Sequence, residues 1–428
     1  MGDRGPGFAN GFYSSVESLV PPMLGLKRDL WLLFALNLAI GFSGQFMAPL
    51  FPLYLEGLGA SEVEIGLVLS LASVLATALM IPAGLLMNRI GKKRTLLVSV
   101  VLAALPPALI SLVSDWRWVT PLYMVFSASF SFFIVARMAM ISESATPGNR
   151  ATLFGIMNVA WPIGGIVAPT LSGFLVENFG WAPIFQVTTV IMLASLIPTL
   201  RLEEPATPIE VGQVPAKRPS ILDGKYLPFM TLIFLFHLLA GMVEGMIGTV
   251  LPLFLKNQIM ISESLIGLFF TASSLLILVI QIPSGRLADR YGRKKVLVLS
   301  LLPLPLLLGA WLFVDDWLVL LILYAAFSGF RSMTWPSSLA LLADFIPSEL
   351  MGSALGVRMT SMRLGSTVTP VLAGYLYSGV GYRSPFLASA ALVTLSIVVA
   401  LAFKEARAEE DEAETVQPMA RKENIHQA

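Results

Sequence analysis

Apolar residues run along this chain in stretches of about 20, parted by short polar breaks, which matches helices crossing a ~30 Å hydrocarbon layer. Twelve such stretches are expected at 30–55, 62–87, 95–114, 119–143, 150–176, 182–200, 228–255, 264–286, 296–314, 317–344, 352–378 and 384–403. Six precede and six follow a polar break. The pattern predicts an all-α membrane protein with an N-terminal bundle at 30–200 and a C-terminal bundle at 228–403. Residues 1–29 read as a cytoplasmic N-terminal segment, with a short interfacial helix expected near 13–20. The Pro- and charge-rich stretch 201–227 reads as a cytoplasmic linker, and 404–428 as a charged cytoplasmic tail.

The two halves repeat each other. Gly84, Asn88, Arg89, Gly91, Lys92, Lys93 and Arg94 recur as Gly285, Asp289, Arg290, Gly292, Arg293, Lys294 and Lys295. Other landmarks keep nearly the same offset: Pro52 with Pro252, Pro82 with Pro283, Glu143 with Asp344, Gly155 with Gly356, Pro169 with Pro370, and Gly173 with Gly374. Such a repeat predicts two six-helix bundles related by pseudo-two-fold symmetry, facing one another as in a carrier.

Composition agrees. Charged residues make up 13% where a soluble domain carries about a quarter, and mean hydropathy is +0.78. The expected outer loops hold three basic residues, Arg117, Lys256 and Arg383, and four more lie within spans. The rest of the 28 fall on segments expected inside, so both termini are read as cytoplasmic. Residues 1–26 lack a basic region followed by an unbroken apolar run, so no cleavable signal is expected and the first span serves as its own. With no cysteine, disulfide and thiol chemistry are absent. No phosphate loop or metal-ligand cluster is legible, so neither a cofactor nor catalysis is expected. A net charge of +1 gives no sign of a partner, and no nucleic-acid partner is expected.

The repeated loop motif needs more than topology to explain it. Basic residues fix the loop inside and glycine permits the tight reversal, yet neither accounts for an acid or amide before Arg89 and Arg290. The pattern resembles the loop signature of the major facilitator superfamily, over roughly residues 28–404, and is closest to its drug/proton antiporter-like branch. The resemblance implies the major facilitator fold. It also implies a latch for the outward-facing state, in which the motif's Asp faces a helix N-terminus of the opposite half and bonds to basic residues and an acid of its own. Carried over, Asp289 and Arg290 act with Asp344, and Arg89 acts with Glu143. Asn88 stands where the family has Asp, which removes a charge–dipole attraction of about 0.3–1 kcal/mol. A second element, Gly164 to Ala168, Pro169, Ser172 and Gly173, is similar to one that the family's antiporters carry in the fifth span. Its echo at Gly365, Thr369, Pro370, Ala373 and Gly374 leaves it equally readable as a packing device.

Ionisable groups inside a membrane are costly and mark cavities or partners. Arg137 (span 4), His237 and Glu244 (span 7), Arg331 (span 10), and Arg358 and Arg363 (span 11) form this set. Glu244, expected as a buried carboxyl, is the candidate for carrying the coupling proton. His237, two turns away on the same face, reads as a packing residue or a cavity group. Arg331 with Trp335 one turn on suits an anion against an aromatic wall, and Arg363 is a further cavity candidate. Arg358 is expected to snorkel toward the surface. Arg137 resembles an arginine of the family's drug/proton antiporters and reads as a solute contact, a coupling partner or a structural pair. Asn37, Gln45 and Asn158 are expected to line the same cavity. The first span lacks the acid common in that branch, which argues against cationic drugs.

Together these features predict a monomeric carrier in the plasma (inner) membrane, with lipid and a small solute as partners. Export of an organic solute by proton antiport is the first expectation, with sodium as the alternative ion. Import of an organic anion with protons is the second, and a transport-inactive sensor or scaffold the third.

Overall fold

Four of the breaks within these spans fall beside a proline, although other prolines, such as Pro252 and Pro283, lie within continuous helices. Pro52, Pro82, Pro198 and Pro303 each lack the N–H that would reach the carbonyl four residues back, at Ala48, Ala78, Ala194 and Leu299, and a break falls beside each one. In the computed structural model, residues 28–144, 150–203, 224–347 and 350–403 are described. Span 1 is α1 (Arg28–Met47) with α2 (Phe51–Gly57), and span 2 is α3 (Glu62–Ala78) with α4 (Met80–Ile90), bent by 40°. Spans 3 to 5 are α5 (Lys92–Ile110), α6 (Trp116–Ser144) and α7 (Arg150–Phe179), and span 6 is α8 (Ala182–Ala194) with α9 (Leu196–Arg201). The second half follows as α10 (Leu227–Asn257), α11 (Glu263–Tyr291), α12 (Arg293–Leu301) with α13 (Pro303–Ala310), α14 (Trp317–Phe345), α15 (Met351–Gly379) and α16 (Ser384–Leu401). The expected interfacial helix at 13–20, most of the linker and the tail lie outside the described residues.

Among the described residues, nine helices are long and apolar enough to cross a membrane, or ten counting the bent pair. The remaining two spans are α12–α13, divided at Pro303, and α15, whose arginines, serines and threonines dilute its apolar character. Large apolar side chains such as Ile81, Leu112, Leu306 and Phe313 stand exposed on the outer surface, as a lipid-facing wall requires. The result is an all-α membrane protein.

Two helix pairs join the halves, α7 with α11 and α3 with α15, and the repeat relates one pair to the other. Their approach is backbone to backbone. A Cβ on Gly173 would stand 2.2 Å from the Glu263 carbonyl oxygen, and one on Gly374 2.2 Å from that of Glu62. Gly267 and Gly66 face Pro169 and Pro370 in the same way. Both copies of the Gly–Pro element therefore sit at this joint, and close packing of small residues explains them.

The joint lies on the side opposite the two basic loops. There Thr170 donates to Thr271 (2.8 Å), Asn257 donates to Glu56 (2.6 Å), the Ser264 amide donates to Glu177 (3.3 Å), and the Ser73 and Thr367 hydroxyls bond at 2.7 Å. On the basic-loop side, no atom of the opposite half lies within 4 Å of a Cβ built on Gly84, Gly155, Gly285 or Gly356. Among the described residues, the close contacts between the halves fall on the side opposite the basic loops.

Candidate functional site

A cavity of about 450 Å³ lies between the halves, lined from spans 1, 2, 4, 7, 8, 10 and 11. Its charged groups are Glu244 on α10 and Arg331 on α14, with Arg331 Nη1 3.7 Å from Glu244 Oε2. That distance makes a loose ion pair, beyond the ~3.2 Å reach of a hydrogen bond. The Glu244 side chain is 48% exposed, so the carboxyl expected to be buried instead faces the cavity. The reason is its neighbour: Gly245, one position on, takes the tightly packed face of α10 against Ser366 and Thr369. Arg363, half-buried on α15, lies close enough to Glu244 for their charges to interact. Gln45 reaches the cavity from α1, as expected.

Sequence reasoning missed the aromatic lining, which comes from Tyr123, Phe270, Tyr324 and Phe327. Aromatic residues recur throughout the spans, so composition gave these four no distinction. Tyr123 stacks on Phe51 with centroids 3.8 Å apart, and Tyr324 packs edge-on to Phe270 at 6.0 Å. The site thus combines one acid and one arginine with a mixed wall of aromatic, aliphatic and hydroxyl side chains, an arrangement suited to a small organic solute. Arg363, expected in the cavity, acts on Glu244 from outside its lining.

Arg137 and Asn158 form a separate polar cluster in the first half. Arg137 is 8% exposed and donates from Nη2 to the Asn158 side-chain oxygen at 2.6 Å, while its Nε finds no partner among the described residues. Asn37 departs from expectation. It is 1% exposed and donates to the Met157 carbonyl, because its face of α1 packs on α7, so it joins spans 1 and 5 and does not line the cavity.

The second half holds the larger correction. Arg358, expected to snorkel, is 2% exposed. Its Nε donates to His237 Nε2 (2.8 Å), and its Nη2 donates to the Ser338 hydroxyl (3.2 Å) and the Trp335 carbonyl (3.3 Å). Its guanidinium lies over the Trp335 ring, 3.9 Å from the centroid. Trp335 therefore serves Arg358 first, although it also borders a recess that Arg331 shares. Because Arg358 Nε can only donate, His237 Nε2 must accept. The proton then sits on Nδ1 and goes to the Ile233 carbonyl at 2.9 Å. His237 is a neutral acceptor at this site.

The basic loops show the reversal that glycine permits, with Gly91 at φ 90° and Gly292 at φ 97°. Glu143 is held by Lys92 and Asp344 by Arg293, not by Arg89 and Arg290 as the resemblance implied. Each partner opens the following helix, which brings it against the end of span 4 or 10. Arg89 and Arg290 are exposed, and Arg290 lies over Tyr291 at 5.5 Å. Asn88 is exposed, and the Asp289 side chain is 70% exposed, its one ion pair among the described residues being with Arg293 at 3.9 Å. The implied latch to the opposite half is not engaged in this conformation.

Two helical halves around a central polar cavity define a membrane carrier. The chain belongs to the Major Facilitator Superfamily, whose pattern matches residues 33–236 and again 233–424. It is 25% identical over 385 residues to the multi-drug resistance efflux pump PmrA homolog of Lactococcus lactis subsp. lactis (strain IL1403), covering 87% of this chain and 94% of that relative. It is 21% identical over 329 residues to the cis,cis-muconate transport protein of Acinetobacter baylyi, covering 74% and 80%. Its fold is similar to the crystal structure of a bacterial homologue of the human lysosomal transporter Spinster, inward-facing and occupied, with TM-score 0.72 and 13% identity over 88% of this chain and 97% of that one.

Proposed function

We propose that this carrier exports a small organic solute in exchange for protons, by rocking its two halves about the central cavity. The observation that carries this reading is the Glu244–Arg331 pair, 3.7 Å apart and facing a cavity between halves whose close contacts fall opposite the basic loops. A carboxyl beside a guanidinium can hold a proton or favour the arginine's charge, so protonation of Glu244 and occupancy at Arg331 are linked. The efflux relative supports the outward direction. Basic loops favour the cytoplasmic side, so both termini lie inside the plasma (inner) membrane and the cavity stands open inward. The carrier works as a monomer.

The test is a solute panel of lipophilic drugs and organic acids, applied to liposomes holding the purified chain and a pH-sensitive dye. A transported member is expected to drive protons the opposite way, and Glu244→Gln is expected to abolish that exchange while solute still binds. Undiminished exchange in the folded variant removes Glu244 from coupling.

A second reading, import of an organic anion together with protons, is favoured by Arg331 and Arg363 around a single acid and by the muconate-transporting relative. In the same liposomes, protons would then move with the solute. No flux with any panel member would favour the transport-inactive scaffold.

A further inference from the structure

Beside the central cavity lies a recess of about 150 Å³, lined from α10, α11, α14 and α15, with Arg331 on the wall of both spaces. Its other polar lining includes Arg358, His237, Gln281 and Ser338, and no carboxylate is among the lining residues. Two arginines therefore line a pocket with no acid among its lining residues. The nearest compensating charge, Glu244, is 3.7 Å from Arg331 and belongs to the main cavity. Arg358 is the more isolated of the two. It is 2% exposed, its Nε and Nη2 bond to neutral groups, and Nη1 is given no acceptor by the described residues. His237 adds no negative charge because it is neutral in accepting from Arg358. A buried cation satisfied only by neutral acceptors leaves a strong site for an anion, which a carboxylate can fill by taking one hydrogen bond from Arg358 Nη1 and another from Arg331.

We infer that this recess is a carboxylate subsite, and that the solute is an amphiphilic organic acid whose acid group sits between Arg331 and Arg358 while its apolar body lies in the main cavity. The size supports this division. The recess is too small for a whole drug-sized molecule, which needs roughly 300 Å³ or more, but it accepts a carboxylate on a small planar body. The Trp335 indole, already under the Arg358 guanidinium, holds that group flat at the recess wall. The apolar remainder of the solute meets Phe270, Tyr324 and Phe327. Arg331 links the two spaces, so filling the recess draws it from Glu244 and leaves the carboxyl free to take a proton. This last step rests on the proton-coupled reading; the subsite does not.

The probe is benzoate, with the isosteric neutral benzamide as control, added to the full chain purified in detergent. Benzoate is expected to raise the unfolding temperature in a saturable way and benzamide is not. Met362 lines the recess one turn on from Arg358 and carries no charge, so Met362→Phe fills the space without removing a charged group. It is expected to weaken benzoate by about tenfold or more, as is Arg358→Lys, which keeps the charge but loses the planar fork. Unchanged benzoate affinity in folded Met362→Phe, or equal response to benzamide, overturns the subsite. Absence of benzoate binding to the parent chain does the same. Recess-dependent benzoate binding in a carrier that shows no Glu244-dependent proton exchange would remove the coupling and keep the subsite. The reverse pattern would remove the subsite alone.

Discussion

Arg358 and Glu244 illustrate how far a single residue's role depends on neighbours distant in sequence. Arg358 looks free to reach the surface from its place in span 11, yet its acceptors come from His237 and Ser338, 121 and 20 residues away. Nothing within one helix announces that meeting, so it was not legible in the sequence. Replacing His237 with Ala strands the Arg358 Nε inside the protein, and an unsatisfied buried donor costs about 1–3 kcal/mol. A lower midpoint of thermal unfolding in detergent is expected, and an unchanged midpoint would mean that water or another group takes over the bond. The choice of residue types was legible, because intramembrane charge is expensive wherever it falls. Which charges face the cavity was not, because facing is set by the helix that packs opposite. Asn37, turned onto Met157, and Glu244, turned away from α15 by the close approach at Gly245, are the two sides of that rule.

At the scale of helices, the joint between the halves depends on having no side chain. The Gly–Pro elements of spans 5 and 11 could be read from the sequence as packing or as markers of antiport, and their geometry favours packing. A methyl group at Gly173 would stand 2.2 Å from the Glu263 carbonyl oxygen, which is backbone and cannot turn aside. Gly173→Ala is expected to push α7 and α11 apart and cost about 1–3 kcal/mol, in the range of overpacked cores. Thermal unfolding checks this, and a neutral result would show that the helices slide at little cost. The joint also holds a carboxylate at a helix start, Glu177 against the Ser264 amide near the N-terminus of α11. That is the kind of charge–dipole attraction the family resemblance implies for the basic loops on the other side. Helix positions followed from the apolar pattern to within about five residues at each end, because bilayer thickness sets the length of a span. The breaks inside spans 1, 2, 6 and 9 sit beside Pro52, Pro82, Pro198 and Pro303.

For the whole molecule, the proposed rocking sets two groups of contacts against each other. One joins the halves opposite the basic loops and is made here. The other would join them at the basic loops and is unmade, with Asp289 exposed and Asn88 giving no charge to the first copy. Asn88→Asp supplies that missing charge. It is expected to raise the population closed at the basic loops about two- to fivefold, the equivalent of 0.3–1 kcal/mol at a helix end, as read from labelling rates of a cysteine placed in the cavity wall. No change in rate would mean that the first loop takes no part in closure. The internal repeat makes this two-sided design legible in the sequence. The state in which the molecule rests is not legible there, because it turns on the balance between the two sets of contacts.

The chain has no native cysteine, so paired labels can be introduced without removing anything. Spin labels at Arg94→Cys and Lys295→Cys, both exposed on the basic loops, would report the gap between the halves by double electron–electron resonance. A proton-coupled rocking carrier is expected to show a long and a short distance whose proportions change as pH is lowered, with that change lost in Glu244→Gln. A single distance indifferent to pH, or a response that survives in Glu244→Gln, would contradict a carrier whose halves rock on the protonation of Glu244.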